Sequence, residues 1–170
     1  MFQKLCVGII LGTILICSCS KGSSGGSSST CYILPSDSTA PDSQVVRVQQ
    51  YLTANSIVAI KDSLGFFYTI QDSGTTKPDL CSTISVNYSG SLTNGAVFDS
   101  TGGTPRTFPL AQLILGWQDG LTLIGNGGTM TLYLPPALGY GGVAQVGSGN
   151  QVTIPAYSIL VFKLQLTNVQ

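Results

Sequence analysis

Three stretches of this chain alternate apolar and polar residues with a period of two, and that alternation restricts the fold more than any other feature. In Thr83 to Leu92, Ile84, Val86, Tyr88 and Leu92 share one side, while Ser85, Asn87, Ser89 and Ser91 share the other. Thr129 to Leu134 repeats the pattern through Met130, Leu132 and Leu134 and stops at Pro135-Pro136. The last stretch sets Leu160, Phe162, Leu164 and Leu166 on one side. Each reads as a half-buried antiparallel strand. Asn94-Gly95 tolerates the positive φ angles of a type I′ turn and predicts a hairpin returning through Val97-Phe98-Asp99-Ser100. Leu110 to Ile114 and then Gly116-Trp117-Gln118-Asp119-Gly120-Leu121 read as a short helical stretch interrupted by glycine.

Upstream, residues 31–81 read as an accessory segment of one helix followed by strands. Pro41 and Asp42 open Gln44 to Ala54, in which Val45, Val48 and Leu52 recur at helical spacing, with Asn55 as the stop. Ile57 to Ile60 and Phe66 to Gln71 read as extended, separated by Asp62-Ser63 and Gly65, with Phe66, Tyr68 and Ile70 on one face of the second strand. Gly74 to Asp79 is a loop containing Pro78. No catalytic constellation falls in this segment.

The N-terminal residues 1–18 read as an export signal. Lys4 precedes an apolar run from Leu5 to Cys17, too short to span a bilayer comfortably. Its end, Ile16-Cys17-Ser18-Cys19, resembles a bacterial lipobox, with Cys19 as the residue that is acylated; an ordinary cleaved signal is the alternative. Acyl chains there would hold the protein at a membrane surface without a spanning helix. Residues 19–30 then form the lipidated Cys and a Gly/Ser tether. Of the five cysteines, Cys31 and Cys81 remain once Cys19 is acylated. In an oxidising compartment they are expected to form a disulfide worth about 4 kcal/mol on the chain-entropy model, with two buried thiols as the alternative.

Composition removes whole reaction classes. The chain has no His, and its seven acidic residues, all Asp, balance seven Lys plus Arg. No Ser-His-Asp triad, Cys-His pair or His-ligated metal can be built, no CxxC supports a thiolate site, and neither a metal nor a cofactor is expected. Two Arg and five Lys make no basic stripe, so nucleic acid is not an expected partner.

From Ser82 onward the motifs resemble the FKBP-type peptidyl-prolyl cis-trans isomerases. The match runs through Val86-Asn-Tyr88-Ser-Gly90-Ser-Leu92-Thr-Asn94-Gly95, Phe98-Asp99-Ser100, Phe108-Pro-Leu110, Leu113-Ile114-Leu-Gly116-Trp117-Gln-Asp-Gly120-Leu121, Leu134-Pro135 with Leu138-Gly-Tyr140-Gly141, and Ile154-Pro155 to Phe162. It covers residues 82–170, about half the chain. The resemblance implies an α+β fold, a twisted antiparallel β-sheet wrapped around one short α-helix, here with a small N-terminal helix-plus-strand extension. The acylated, tethered form resembles the envelope lipoprotein version of Gram-negative bacteria, which implies a lipid-anchored protein at the outer membrane, facing the periplasm.

Carried over by motif, the resemblance implies catalytic positions at Tyr88, Phe98, Asp99, Trp117, Tyr140 and Phe162, and a substrate-binding wall of Leu113, Ile114 and Ile154. Trp117 would floor the pocket, Tyr140 would donate its hydroxyl to the substrate carbonyl, and Asp99 would bond pocket tyrosines. The implied ligands are X-Pro segments of exported proteins, with macrolide ligands as a further expectation. A binding module or holdase that keeps the pocket but turns over little is the alternative function. Two departures stand out. Arg106 replaces an aromatic seen in some relatives, and either pairs with Asp99 across the pocket mouth or lies exposed to little effect. The loop from Gly141 to Thr153 is glycine-rich and carries no charge, so no preference for the residue before proline transfers.

Overall fold

The computed structural model describes residues 38–147 and 149–170. The expected signal segment, Cys19, the Gly/Ser tether and Cys31 lie outside the described residues. Cys81 is disulfide-bonded.

Helix α1, Asp42–Ala54, starts after Pro41 with Asp42 in its first turn, where a carboxylate favours the positive end of the helix dipole. Val45, Val48 and Leu52 form its buried face, as their spacing predicts. It ends at Asn55, whose side-chain amide donates to the Tyr51 carbonyl at 2.8 Å, and Ser56 turns the chain away at φ 55°.

The main sheet contains β1 (Ile60–Lys61), β2 (Phe67–Asp72), β3 (Thr83–Leu92), β4 (Val97–Ser100), β5 (Arg106–Pro109), β6 (Thr129–Leu134) and β9 (Leu160–Val169). Its order is β1-β2-β6-β9-β3-β4, with β5 paired to the first half of β3 and β4 to its second half. All of these pairings are antiparallel. Register brings Gly90 and Leu132 to either side of Phe162, so the strand pattern converges on that ring. Across one face lies helix α2, Leu115–Gly120, between single 3-10 turns at Leu110–Gln112 and Leu121–Leu123. Strands β7 (Gln145–Val146) and β8 (Val152–Ile154) make a separate hairpin.

Two glycines set how closely α2 approaches the sheet. A Cβ on Gly116 would stand 2.5 Å from a Leu134 methyl, and one on Gly120 would stand 2.7 Å from a Leu132 methyl. Both leucines are fully buried. Gly116 therefore does not interrupt the helix, as the sequence reading has it; it lies within α2, and the break between helical pieces falls at Leu113-Ile114 instead.

Three other expectations change. The Asn94-Gly95 turn is not type I′: only Gly95 has positive φ, at 85°. The Gly95 N–H donates to Leu92 O and the Leu92 N–H to Ala96 O, while the Asn94 side chain accepts from the Ala96 N–H. This is the three-residue hairpin in which one glycine absorbs the positive φ. Ile57 to Ile60 is not a full strand; only Ile60–Lys61 pairs, at the sheet edge, and Val58 before it stands 91% exposed. Gly141 to Thr153 is not all loop, since it contains β7 and the start of β8. Phe66 and Tyr68 share a face as expected, with ring centroids 6.0 Å apart; Ile70 follows Tyr68 on that face but is 38% exposed, and Phe67 on the other face is buried.

The burial of Phe67 has a tertiary cause. It pairs across β2 and β6 with Tyr133, and Tyr133 pairs with Val161 on β9. All three are buried, although they alternate with the residues that meet α2. Helix α1 covers this second face, with the Tyr51 and Tyr133 ring centroids 6.4 Å apart. At this end the sheet is covered on both sides, which removes the simple alternation expected of a one-sided sheet.

The α2 contact yields a test of sign. Alanine in a helix gains roughly 1 kcal/mol over glycine, whereas overpacking a filled core costs about 1 to 3 kcal/mol. Because Leu134 is fully buried and stands 2.5 Å from that Cβ position, Gly116→Ala should lower the unfolding free energy in denaturant melts by about 1 to 2 kcal/mol. An unchanged or raised stability would contradict this close packing.

Candidate functional site

A cleft of about 400 Å³ opens between α2, the sheet and the β7–β8 hairpin. It is lined by Tyr88, Phe98, Asp99, Leu113, Ile114, Trp117, Tyr140, Ile154 and Phe162, so the structure brings every sequence-derived pocket residue to one place. Phe108, Gln145 and Thr153 line it as well. Phe108 sits on β5 opposite Ile84, and its signal was present in the Phe108-Pro-Leu110 motif. Gln145 and Thr153 come from strands of two and three residues, too short to show a period.

The cleft is built from aromatic edges. Trp117, in α2 and 4% exposed, meets Tyr88 and Phe162 edge-on, each at a centroid distance of 5.1 Å with planes at 80° and 85°. Phe98 meets Phe162 in the same way at 5.6 Å and 84°. Such perpendicular contacts suit the ring quadrupoles, the positive edge of one facing the negative face of another. Gly90 makes room for them: a Cβ there would lie 2.6 Å from the Phe98 ring and 2.7 Å from that of Phe162. The Trp117 Nε1 is buried and has no hydrogen-bond partner among the described residues, so this side chain serves the cleft through its ring surface.

Polar chemistry gathers at one edge. The Tyr88 hydroxyl donates to Asp99 Oδ2 at 2.5 Å and accepts from Arg106 Nη1 at 3.3 Å. Arg106 Nη1 also lies 3.7 Å from Asp99 Oδ1, so of the two readings of Arg106 the pairing one describes its position. Both partners are about half exposed, and the ion pair contributes orientation more than stability. Burial first, then the Asp99 hydrogen bond and charge, push the Tyr88 phenol up to about 12, with Arg106 opposing the rise. Tyr140 is raised too, by burial and then by the Asp99 charge. Its hydroxyl has no hydrogen-bond partner among the described residues. Tyr140 is 37% exposed at the cleft, so a donor stands open to a ligand there.

A wider groove of about 660 Å³ crosses the opposite sheet face, lined by polar side chains such as Asn87, Thr129, Lys163 and Gln165. It offers no aromatic box. Among the described residues no group of three or more His, Cys or Asp could hold a metal ion.

The tyrosine environment predicts a pH dependence. A phenol whose value is 10.0 in the unfolded chain and about 12 in the fold keeps its proton longer when folded. Its contribution is therefore complete below pH 10 and is lost as the pH rises toward 12. Ultraviolet titration should resolve late-ionising tyrosines in the native protein, and Tyr88→Phe should remove one of them. Ionisation of every tyrosine at the ordinary value in the native state would contradict the Tyr88–Asp99 bond.

The residues around this cleft fall within a known family. The profile described as FKBP-type peptidyl-prolyl cis-trans isomerase matches residues 74–167, more than half of the chain. A protein named FKBP-type peptidyl-prolyl cis-trans isomerase FkpA, from Aeromonas hydrophila, is 37% identical over 130 residues, covering 72% of this chain and 45% of that protein. Outer membrane protein MIP of Legionella longbeachae is 38% identical over 109 residues, covering 62% of this chain and 45% of that protein. The crystal structure of FkpA from Escherichia coli superposes with a TM-score of 0.63 at 31% identity, covering 76% of this chain and 60% of that one. The chain thus spans about half the length of the curated relatives it matches. By sequence and by fold, this chain belongs to the FKBP-type peptidyl-prolyl cis-trans isomerase family.

Proposed function

We propose that this chain catalyses cis-trans isomerisation of X-Pro bonds in exported polypeptides, with the reaction held in the aromatic cleft. The observation that carries the reading is the box of perpendicular rings around Trp117, which is apolar, pre-formed and of a size to take a prolyl ring. Rotation about an X-Pro bond faces a barrier of about 18 to 20 kcal/mol because amide resonance is lost, and no covalent bond forms or breaks. The twisted amide is less charge-separated than the planar one. Apolar walls therefore favour the transition state over the ground state. A rate gain of about 10⁴ needs only about 5.4 kcal/mol of such preference.

In this reading the prolyl ring lies on the Trp117 indole, flanked by Tyr88, Phe98 and Phe162, with Leu113, Ile114 and Ile154 closing the apolar wall. The open Tyr140 hydroxyl donates to the substrate carbonyl. Asp99 binds the Tyr88 proton and places a negative charge beside the rotating amide. No proton transfer is required, which agrees with a chain that has no histidine.

A second reading, a peptide-holding module with little turnover, draws on Val143, Val146 and Val152, which stand exposed around the β7–β8 hairpin beside the cleft. A protease-coupled assay on a short X-Pro peptide separates the two. The isomerase reading expects acceleration by the wild type and a joint loss of binding and turnover in Trp117→Ala. Tyr140→Phe and Asp99→Ala should lose about 5- to 150-fold in kcat/KM, about 1 to 3 kcal/mol, with a smaller loss in ground-state peptide binding. A wild type that binds prolyl peptides without accelerating them leaves the holding module in its place.

The same proposal includes an acylated Cys19 that tethers the domain to the cell envelope at the outer membrane, facing the periplasm. The lipobox pattern and the name of the outer-membrane relative support it. Cys31 is the proposed disulfide partner of Cys81, and macrolides are proposed ligands of the cleft on the family resemblance alone. Mass spectrometry of the membrane-extracted chain should find a diacylated Cys19 and a peptide joining Cys31 to Cys81. An unmodified Cys19 or freely alkylated Cys31 and Cys81 would remove the corresponding part.

A further inference from the structure

We propose that helix α1 is a brace that positions Tyr140, with Gln44 and Arg47 as positioning residues that hold the phenol-bearing loop from both sides. The inference rests on the proposed role of Tyr140 as donor to the substrate carbonyl. Tyr140 follows a single 3-10 turn, Pro136–Leu138. The Ala137 N–H, near the start of that turn, has no partner within it, as at any helix start. The Gln44 side-chain oxygen supplies one at 2.8 Å from 93 residues away.

On the far side of Tyr140, the Gly141 N–H donates to Pro136 O at 2.8 Å, and Gly141 O accepts from the Tyr157 N–H at 2.8 Å. Tyr157 is held at φ 59°, a left-handed conformation uncommon for a residue with a side chain. Its phenol covers Gly142, where an added Cβ would stand 2.8 Å from the Tyr157 hydroxyl oxygen. The Tyr157 carbonyl in turn accepts from Arg47 Nη2 at 3.3 Å.

Gln44 and Arg47 are three residues apart on α1 and so lie side by side on its surface. The hydrogen bonds therefore close a circuit from α1 to Ala137, through the Tyr140 loop, to Tyr157 and back to α1. The helix itself is fixed in the core by Val48 and Leu52, at 0% and 1% exposure. A hydroxyl that must meet a carbonyl only while the amide rotates needs such support, because small misplacements cost rate more than affinity.

The test uses the full chain and two readouts, steady-state isomerisation with peptide affinity and residue-resolved amide hydrogen exchange. In Gln44→Ala and in Gln44→Ala combined with Arg47→Ala, kcat should fall about three- to tenfold while the peptide Kd stays within about twofold. Exchange at Gly141 and Tyr157 should accelerate about tenfold, with Leu132 and Leu164 unchanged. Gln44→Glu, which keeps an acceptor oxygen, should restore both readouts, and Gln50→Ala on the exposed side of the same helix should change neither.

The brace is overturned if kcat in the double variant equals that of an active wild type. It is equally overturned if exchange at Gly141 and Tyr157 is unaltered, or rises uniformly through β6 and β9. An inactive wild type would defeat the isomerase reading instead, and the exchange measurement then decides the brace by itself.

Discussion

The close approach of α2 to β6 fixes the geometry of the cleft. Two glycines, four residues apart on one helix face, let Leu134 and Leu132 press against helix backbone where any other residue would hold the elements apart. Trp117 stands between those glycines, and its height above the sheet is set by them. That height brings its ring to 5.1 Å from both Tyr88 and Phe162 and so gives the cleft its floor. Gly90 does for the sheet what Gly116 does for the helix, leaving the space above β3 to two phenylalanine rings. Backbone without side chains thus shapes an aromatic cavity.

The electrostatic poverty of the chain is consistent with what that cavity is proposed to do. A reaction that moves charge or protons needs groups with tuned ionisation, and such groups need partners. Rotation of an amide asks for less: a dry apolar wall, a donor for the carbonyl and one fixed carboxylate. Tyr88 is committed to Asp99 through its hydroxyl proton and supported by Arg106. Tyr140 keeps an unshared hydroxyl at the cleft.

Much of this was legible in the sequence, and the reasons are physical. The strands β3, β6 and β9 each bury one face against α2, so period-two alternation identified them and their inward residues. Helix α1 followed from Val45, Val48 and Leu52. The cleft residues were legible because six motifs in order resemble one family. What failed was local conformation set by distant contacts. Phe67, Tyr133 and Val161 are buried because α1 covers the second sheet face, which no window along β6 or β9 reveals. Gly116 reads as a helix breaker by propensity, yet Leu134 makes it a requirement. The Asn94-Gly95 pair signals a hairpin without stating how many residues its turn contains, and Gln145 and Thr153 lie on strands too short for any pattern.

In the proposed complex a prolyl ring sits on the Trp117 indole inside the aromatic box. Intermolecular nuclear Overhauser measurements with a peptide carrying ¹³C-labelled proline would show where that ring lies. Contacts are expected from the proline ring protons to the indole of Trp117 and to the rings of Phe98 and Phe162. Proline contacts confined to the polar groove beside Lys163 and Gln165 would contradict it.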